Sequence, residues 1–162
     1  MGYSAASLDE LGDGVFRKVR QALGVTAFGA NAVVLPPGTG WFEHFHEEQD
    51  ELYFVHRGRA GFAVAGERFE LGPGGLVHVE STTPRRMWNA GPDELVVLVL
   101  GGKDGYVGRD GRMVDPEDVE RRRAFSAGDA SVIRLSPDDA AIRGAIDTPA
   151  REPGTPPRKD PR

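Results

Sequence analysis

Between residues 26 and 101, glycine and proline interrupt the chain at short intervals and leave room only for short extended segments. These segments are rich in β-branched and aromatic residues, and none is long enough for the helix of a β-α-β unit. Turn sequences such as "PPGTG", "GPGG" and "AGPD" separate them. Short strands at this spacing predict an all-β sandwich or small barrel. The predicted strands are residues 26–35, 41–46, 52–57, 60–66, 68–71, 76–80, 85–89 and 94–100.

Composition divides the chain into three regions. Residues 1–14 are predicted to be mobile, residues 15–135 to form the barrel domain with an appended helix, and residues 136–162 to be a mostly disordered tail. The final segment "DTPAREPGTPPRKDPR", residues 147–162, has too few apolar residues to offset the entropy cost of ordering. Residues 15–25 fit either a strand or a helix.

The segment after the barrel predicts one short helix. In residues 115–125, "DPEDVERRRAF", an aspartate stands at the N-cap position, proline follows it, acids come early and arginines late. We expect this helix to pack on the barrel through Val119 and Phe125. The sequence "SVIRL", residues 131–135, is expected to return as an edge strand.

Charge and composition exclude several classes of protein. The net charge is -5, with acids and bases interspersed, so no basic stripe for nucleic acid is expected. The absence of cysteine excludes disulfides and thiolate metal sites and fits a reducing compartment. The longest apolar run, starting at Leu95, is too short to cross a bilayer, and the first residues lack a secretory signal pattern. We therefore expect a soluble, cytoplasmic protein with no membrane partner.

Two histidines, His44 and His46, are separated by a single residue in "FEHFH". Residues two apart point to nearly opposite sides of a helix but share one face of a strand. Only a strand therefore lets both imidazoles converge on one point. Two neutral imidazoles and a nearby carboxylate are a ligand set for a divalent ion such as zinc, iron, manganese or nickel.

The stretch around these histidines resembles the first motif of the cupin superfamily, G-x5-H-x-H-x(3,4)-E-x6-G. Its specified positions are filled by Gly38, His44, His46, Glu51 and Gly58. The resemblance covers roughly residues 26–101 and implies a cupin-type double-stranded β-helix, a jelly-roll barrel followed here by the short helix. It implies metal ligation by His44, His46 and Glu51. Glu51 is expected to start a strand beside the histidine strand, and Gly58 to lie in the following hairpin turn.

The second cupin motif, G-x5-P-x-G-x2-H-x3-N, aligns from Gly74 to Asn89 with three departures. Glu80, Thr82 and Arg85 stand where the motif has proline, glycine and histidine. In metal-bound cupins that histidine completes a set of three histidines and one glutamate, so at most three ligands remain here. Arginine does not lose its proton in a protein, and when buried it needs a carboxylate or a bound anion.

Charge counting leaves three arrangements open at this site. Two neutral histidines (0), one carboxylate (−1) and one guanidinium (+1) sum to zero, whereas an added divalent ion gives +2. Arg85 could pair with Glu51 in a metal-free site. It could instead turn outward while His78 or water fills the vacancy, or metal and Arg85 could hold an anionic ligand together. His56 lies on the opposite strand face from Glu51 and is expected at the surface.

These arrangements correspond to two functional hypotheses. The first is a metal-dependent enzyme of the dioxygenase, isomerase, epimerase or decarboxylase type, acting on a small polar or anionic substrate with Glu51 and Arg85 as catalytic residues. The second is a metal-free ligand-binding or accessory module built on an Arg85–Glu51 pocket. A homodimer formed through an exposed edge, residues 26–35 or 131–135, is also predicted.

Overall fold

The structure of the protein, a computed structural model, describes residues 2–137 and residue 139. Short strands make up most of the regular secondary structure in this part of the chain, and two α-helices accompany them. The helices are α1 (Val19–Leu23) and α2 (Pro116–Ser126). The strands are β1 (Phe16–Arg17), β2 (Gly29–Leu35), β3 (His44–His46), β4 (Asp50–Arg57), β5 (Ala60–Val64), β6 (Glu67–Leu71), β7 (Leu76–Val79), β8 (Arg85–Asn89), β9 (Leu95–Gly102) and β10 (Gly111–Met113).

The strands form two five-stranded sheets whose pairings are all antiparallel. One sheet has the order β1-β2-β9-β4-β7 and the other the order β10-β3-β8-β5-β6. This architecture confirms the predicted all-β fold of the double-stranded β-helix type with a helix after the barrel. The strand predicted at residues 85–89 has these same bounds, and the other predicted strands each overlap an observed one.

The core lies between the two sheets and follows from strand alternation. Along β4, Glu51, Tyr53 and Val55 are buried, whereas Leu52 faces outward and is 37% exposed. The apolar residues with the least exposure come from both sheets and bury the surface that drives folding. They include Leu35, Val55, Phe62, Leu95 and Val97.

Gly58 ends β4 as expected from the motif. Its φ of +83° lies in the region that favours glycine, and a Cβ there would stand 2.7 Å from the Glu94 carbonyl oxygen. The turn therefore requires glycine both for its backbone conformation and for the close approach of β9. This fixes where β4 ends and β5 begins.

The ambiguous segment at residues 15–25 contains both elements. Phe16 and Arg17 pair with β2 as strand β1, and α1 follows directly. Because β1 flanks β2 and β9 pairs with its other side, β2 is an interior strand. The expectation that residues 26–35 supply an exposed edge was therefore wrong.

Two expectations about the region after the barrel were also wrong. Residues 130–133 form a 3-10 turn rather than an edge strand, because the Asp129 side chain accepts the Ser131 N–H and caps a helical turn. Val119 is 39% exposed on α2. The contact expected for Phe125 is present, because its ring lies edge-on to Trp41 at a centroid distance of 5.2 Å.

The two ends of the chain are described only in part. Residues 8–11 form a 3-10 turn, and the Leu8 carbonyl accepts a hydrogen bond from Arg17. The tail predicted at residues 147–162 lies outside the described residues, as does most of 136–162. In the described part, no helix has the length and apolar content needed to span a membrane. A cytoplasmic location stays a prediction.

Candidate metal centre

The two histidines of β3 point into the space between the sheets. Their ring centroids are 5.4 Å apart, and the exposed fractions of their side chains are 13% for His44 and 10% for His46. This is the arrangement expected for alternate residues of a strand. Both imidazoles therefore reach one point from one strand.

Glu51 approaches that point from the opposite sheet. It lies on β4, which belongs to a different sheet from β3, so the expectation that the two strands are neighbours was wrong. One carboxylate oxygen, Oε1, lies 3.1 Å from His46 Nε2, and the other, Oε2, lies 3.7 Å from His44 Nε2. The cluster thus joins the two sheets across the barrel interior.

Arg85 and Tyr53 both hold the Oε2 atom of Glu51. The Tyr53 hydroxyl donates to it at 2.5 Å and the Arg85 Nε at 3.2 Å. Arg85 is 2% exposed, and its Nη1 donates to the carbonyls of Ser81 and Thr83 at 2.7 and 2.8 Å. Its guanidinium therefore lies behind the carboxylate, and the Oε1 atom is left to face the histidines.

The neighbouring charges keep Glu51 ionised and Tyr53 protonated. Burial alone would raise the pKa of Glu51, but hydrogen bonds and positive charge from His44 and His46 outweigh it and hold the pKa well below its ordinary value. Burial, followed by the negative charge of Glu51, raises the pKa of Tyr53 well above its ordinary value. Tyr53 is therefore a hydrogen-bond donor to a carboxylate.

A second set of contacts orients the two imidazole rings. His44 Nδ1 lies 3.0 Å from the Phe42 carbonyl oxygen. His46 Nδ1 lies 2.9 Å from the Gln49 amide nitrogen and 3.4 Å from Asp110 Oδ2. At His44, the Phe42 carbonyl accepts a proton from Nδ1, which leaves the lone pair of Nε2 toward Glu51. At His46, the Gln49 amide donates to Nδ1, so Nε2 carries the proton and donates to Glu51 Oε1. Ligation of a metal through His46 Nε2 would move that proton to Nδ1, beside Asp110 Oδ2.

Asp110 is itself fixed by the backbone that follows β3. Its carboxylate accepts N–H groups of Glu47, Glu48 and Gln49 at 3.1, 3.1 and 2.9 Å. Burial opposes its ionisation, but the hydrogen bonds from the Gln49 and Glu48 backbone prevail and lower the pKa of Asp110. An ionised carboxylate is therefore tied both to the turn after the histidines and to one histidine ring.

Sequence reasoning missed Gln49 and Asp110. No motif contains them, and Asp110 follows a glycine-rich loop 64 positions after His46 (110 minus 46). The sequence hint that exists is Gly101 on β9, since a Cβ at this position would stand 3.0 Å from Gln49 Oε1. A glycine inside an apolar strand indicates a close approach of another group.

The donor set fits a divalent transition metal. His44, His46 and Glu51 each offer one ligand atom, and these atoms all lie within 4.8 Å of one another. Adjacent ligands around an ion at about 2.1 Å are separated by about 3 Å, close to the His46–Glu51 distance. Two imidazoles and one carboxylate that leave other coordination positions open form a known arrangement for zinc or iron.

The other two histidines lie outside this cluster. His56 is exposed, as expected. His78 is exposed as well, and its Nε2 lies 3.2 Å from Asp50 Oδ2. His78 therefore does not take the position that the second cupin motif gives to histidine.

A cavity of about 250 Å³ leads from the cluster to the surface. We call the part lined by the largely buried His44, His46 and Glu51 its inner end, and the part lined by the exposed Arg109 and Arg122 its mouth. Arg85 is not among the lining residues. Other side chains lining the cavity, most of them aromatic, apolar or basic, include Phe16, Trp41, Tyr106, Arg109, Met113 and Arg122.

This barrel and its His-His-Glu cluster define a small double-stranded β-helix protein with a candidate metal centre between its sheets. Comparison with known families agrees with this fold: residues 31–101 match the family model described as "Cupin domain". An uncharacterized protein from Methanocaldococcus jannaschii is 29% identical over 84 residues, which are 52% of this chain. The match spans 62% of that relative's length.

Two solved structures illustrate the fold. A cupin protein from Bacteroides fragilis has a TM-score of 0.56 and 22% identity, with 64% of this chain and 86% of that chain covered. A sugar phosphate isomerase of the cupin superfamily from Silicibacter pomeroyi has a TM-score of 0.51 and 25% identity, with 54% of this chain and 58% of that chain covered. The likeness to the first of these concerns the fold alone.

Proposed function

We propose that this protein is an enzyme that depends on a divalent transition metal and acts on a small polar or anionic substrate. The observation that carries the proposal is the convergence of one ligand atom each from His44, His46 and Glu51, within 4.8 Å of one another, in the lining of a cavity. The ligand atoms come from both sheets, and hydrogen bonds behind them hold their orientation. Such an arrangement leaves coordination positions open toward the cavity.

Arg85 and the metal are compatible because they use different oxygens of Glu51. Arg85 and Tyr53 hold Oε2, so Oε1 remains as a donor with a fixed direction. A metal on Oε1 with Arg85 on Oε2 is a fourth arrangement, beyond the three that the charges of the site left open. In our proposal Arg85 positions Glu51 from behind, and its charge offsets the carboxylate without contacting the substrate.

The residues of the chain then have separate tasks. A bound zinc, iron, manganese or nickel ion would supply a Lewis acid that polarises a carbonyl or phosphoryl oxygen. His44, His46 and Glu51 would hold the ion, while Phe42, Gln49 and Asp110 orient the rings through Nδ1. The aromatic residues of the cavity would exclude water from the substrate.

Among the reaction types considered, isomerisation is the first to test. The similarity to a sugar phosphate isomerase supports it. The cavity of about 250 Å³ lies below the range of about 300–1,000 Å³ typical of drug-sized ligands and fits a small substrate. Protein stripped with a chelator would be reloaded with Zn²⁺, Fe²⁺, Mn²⁺ or Ni²⁺ and incubated with aldose and ketose phosphates in D₂O. NMR would then report ion-dependent interconversion or deuterium incorporation.

The controls for this assay are two histidine variants. We expect His46→Ala to abolish ion-dependent turnover, and His56→Ala, which changes an exposed histidine on the outer face, to retain it. Failure of every ion to bind the stripped protein would overturn the proposal.

A metal-free binding module is the second candidate, and one observation favours it. Both oxygens of Glu51 already have partners, because Oε1 lies 3.1 Å from His46 Nε2 and Oε2 contacts Arg85. With neutral imidazoles the charges of Glu51 and Arg85 cancel, and a His46 Nε2–H that donates to Oε1 completes a network that needs no ion. Arg85→His discriminates the two candidates. The metal-free candidate predicts metal affinity in the variant and none in the parent, whereas equal affinity in both would count against it.

A further inference from the structure

We propose that Arg109 and Arg122 form an anion subsite at the mouth of the cavity, for the carboxylate or phosphate group of the substrate. This inference rests on the proposed function and narrows its substrate to anionic small molecules. The sequence suggested an anion from Arg85, but the structure turns Arg85 away from the cavity. The arginines that line the cavity are Arg109 and Arg122 instead.

Arg109 and Arg122 differ from most of the other described arginines in lacking an ion pair with a carboxylate. Arg109 and Arg122 have no ion pair within residues 2–137 and 139, although the chain has 25 acidic residues against 20 lysines and arginines. Most other described arginines lie within 4.0 Å of a carboxylate oxygen. They are Arg17, Arg57, Arg59, Arg85, Arg86, Arg112, Arg121 and Arg123.

Contacts near the site anchor the backbone segments that carry both arginines. Arg109 has a φ of +59°, and its carbonyl accepts a hydrogen bond from Arg112. The next residue, Asp110, is anchored to the turn after β3 by its three backbone hydrogen bonds. Arg122 lies on α2, which packs against the barrel through Phe125 and Trp41. Neither arginine is carried by an unanchored segment.

No free carboxylate in the cavity lining competes for these cations. The lining contains two acids, Glu51 and Asp110, which are 8% and 5% exposed and already hydrogen-bonded. A third cation lies nearby, because the Arg20 guanidinium stands 3.6 Å from the ring centroid of Tyr106, a residue of the cavity wall. An oxyanion at the mouth would therefore meet uncompensated positive charge.

The guanidinium group matches both carboxylate and phosphate, since its planar fork can donate two parallel hydrogen bonds. An anion held at the mouth would place the rest of a small molecule toward His44, His46 and Glu51. Binding of inorganic phosphate and of malonate to the wild-type protein would distinguish the two anion classes, because the tighter probe identifies the group that the subsite prefers.

Isothermal titration of the full-length protein with these two probes tests the proposal. The variants are Arg109→Asn, Arg122→Gln and the double variant; asparagine is chosen because it tolerates positive φ. We expect each single change to weaken the preferred anion about tenfold and the double change about a hundredfold. The matched controls are Arg68→Gln and Arg134→Gln, two exposed arginines that also lack an ion pair among the described residues but do not line the cavity.

The controls should stay within about twofold of wild type, and thermal midpoints would report whether each variant folds. Equal anion affinity in the wild type and in a folded double variant would overturn the inference. So would the absence of any phosphate or malonate binding to the wild type.

Running the titrations with and without metal separates this inference from the proposed function. Anion binding that needs both arginines in a protein without metal affinity would support the subsite and refute the metal-dependent enzyme. Metal binding together with an anion affinity that does not depend on Arg109 or Arg122 would refute the subsite and leave the metal-dependent enzyme supported.

Discussion

The arginines near the two ends of the cavity differ in burial and in ion pairing. Behind the inner end, outside the cavity lining, Arg85 is 2% exposed, and its Nε and Nη1 atoms donate to Glu51 and to the carbonyls of Ser81 and Thr83. At the mouth, Arg109 and Arg122 are exposed and lack an ion pair among the described residues. The comparison shows that a paired, buried charge fixes geometry, whereas an unpaired charge beside a cavity is available for a ligand.

Among the changes near the inner end, replacement of Arg85 should lower the free energy of unfolding most. Arg85→Met leaves the buried Glu51 carboxylate without its guanidinium, which should lower the free energy of unfolding by about 3–5 kcal/mol. Urea denaturation would measure it. Arg86→Met is the matched neighbour. Arg86 pairs with Asp139 where their side chains are 30% and 23% exposed, so the change should cost no more than about 1 kcal/mol. Equal losses in the two variants would show that Arg85 has no special role.

Removal of one ligand should separate metal binding from folding. His46→Ala deletes a donor that lies 3.1 Å from Glu51, and the affinity for a transition metal should fall at least about a hundredfold. Competition with a chromophoric chelator would measure the loss. Unchanged affinity would exclude His46 as a ligand, and His56→Ala serves as the exposed control.

Asp110→Asn probes the contacts that orient His46. An asparagine keeps the shape but turns one acceptor oxygen into a donor that faces backbone N–H groups and the His46 ring. Metal affinity should fall about tenfold to a hundredfold, less than for loss of a ligand. Asp104→Asn, an exposed change in the same loop, should have no effect. A similar loss in both variants would point to the loop rather than to the contact with His46.

Tyr53→Phe should have the smallest effect at the inner end. It removes the hydroxyl that donates to Glu51 Oε2 but leaves Arg85 on the same oxygen. We expect a loss of about 1–2 kcal/mol in the free energy of unfolding, because the hydrogen bond is made to a charged group. Tyr106→Phe, at an exposed position on the cavity wall, should be neutral, and equal losses in both variants would contradict the role given to Tyr53.

The homodimer stays a prediction, but the strands first named for it do not form an edge. The sheet edges are β1 and β7 in one sheet and β10 and β6 in the other. Sedimentation of the purified protein would show a dimer if one of these edges pairs with a second copy, and a single monomeric species would refute it.

The sequence predicted the inner end better than the mouth for a physical reason. His44, His46 and Glu51 lie within eight residues of one another, so strand alternation and motif spacing describe their arrangement. The sheet to which each strand belongs is a long-range property, which is why Glu51 was expected beside the histidines rather than opposite them. Local patterns do not encode such pairings.

Arg109, Asp110 and Arg122 were not predicted because their role depends on how a loop and a helix pack against the barrel. The pattern of residues 115–125 predicted the helix correctly, with Asp115 as its N-cap. It also predicted that Phe125 packs on the barrel, but not that this packing, against Trp41, brings Arg122 to the cavity. Likewise, nothing in the glycine-rich loop indicates that Asp110 accepts three backbone hydrogen bonds.

Metal content measured on protein purified without a histidine tag tests the central claim most directly. We predict about one equivalent of a transition metal per chain in the wild type and none in His46→Ala, because the cluster offers one set of three converging donors. Wild-type protein without metal, whose thermal midpoint does not move when Zn²⁺, Fe²⁺, Mn²⁺ or Ni²⁺ is added, would contradict the account.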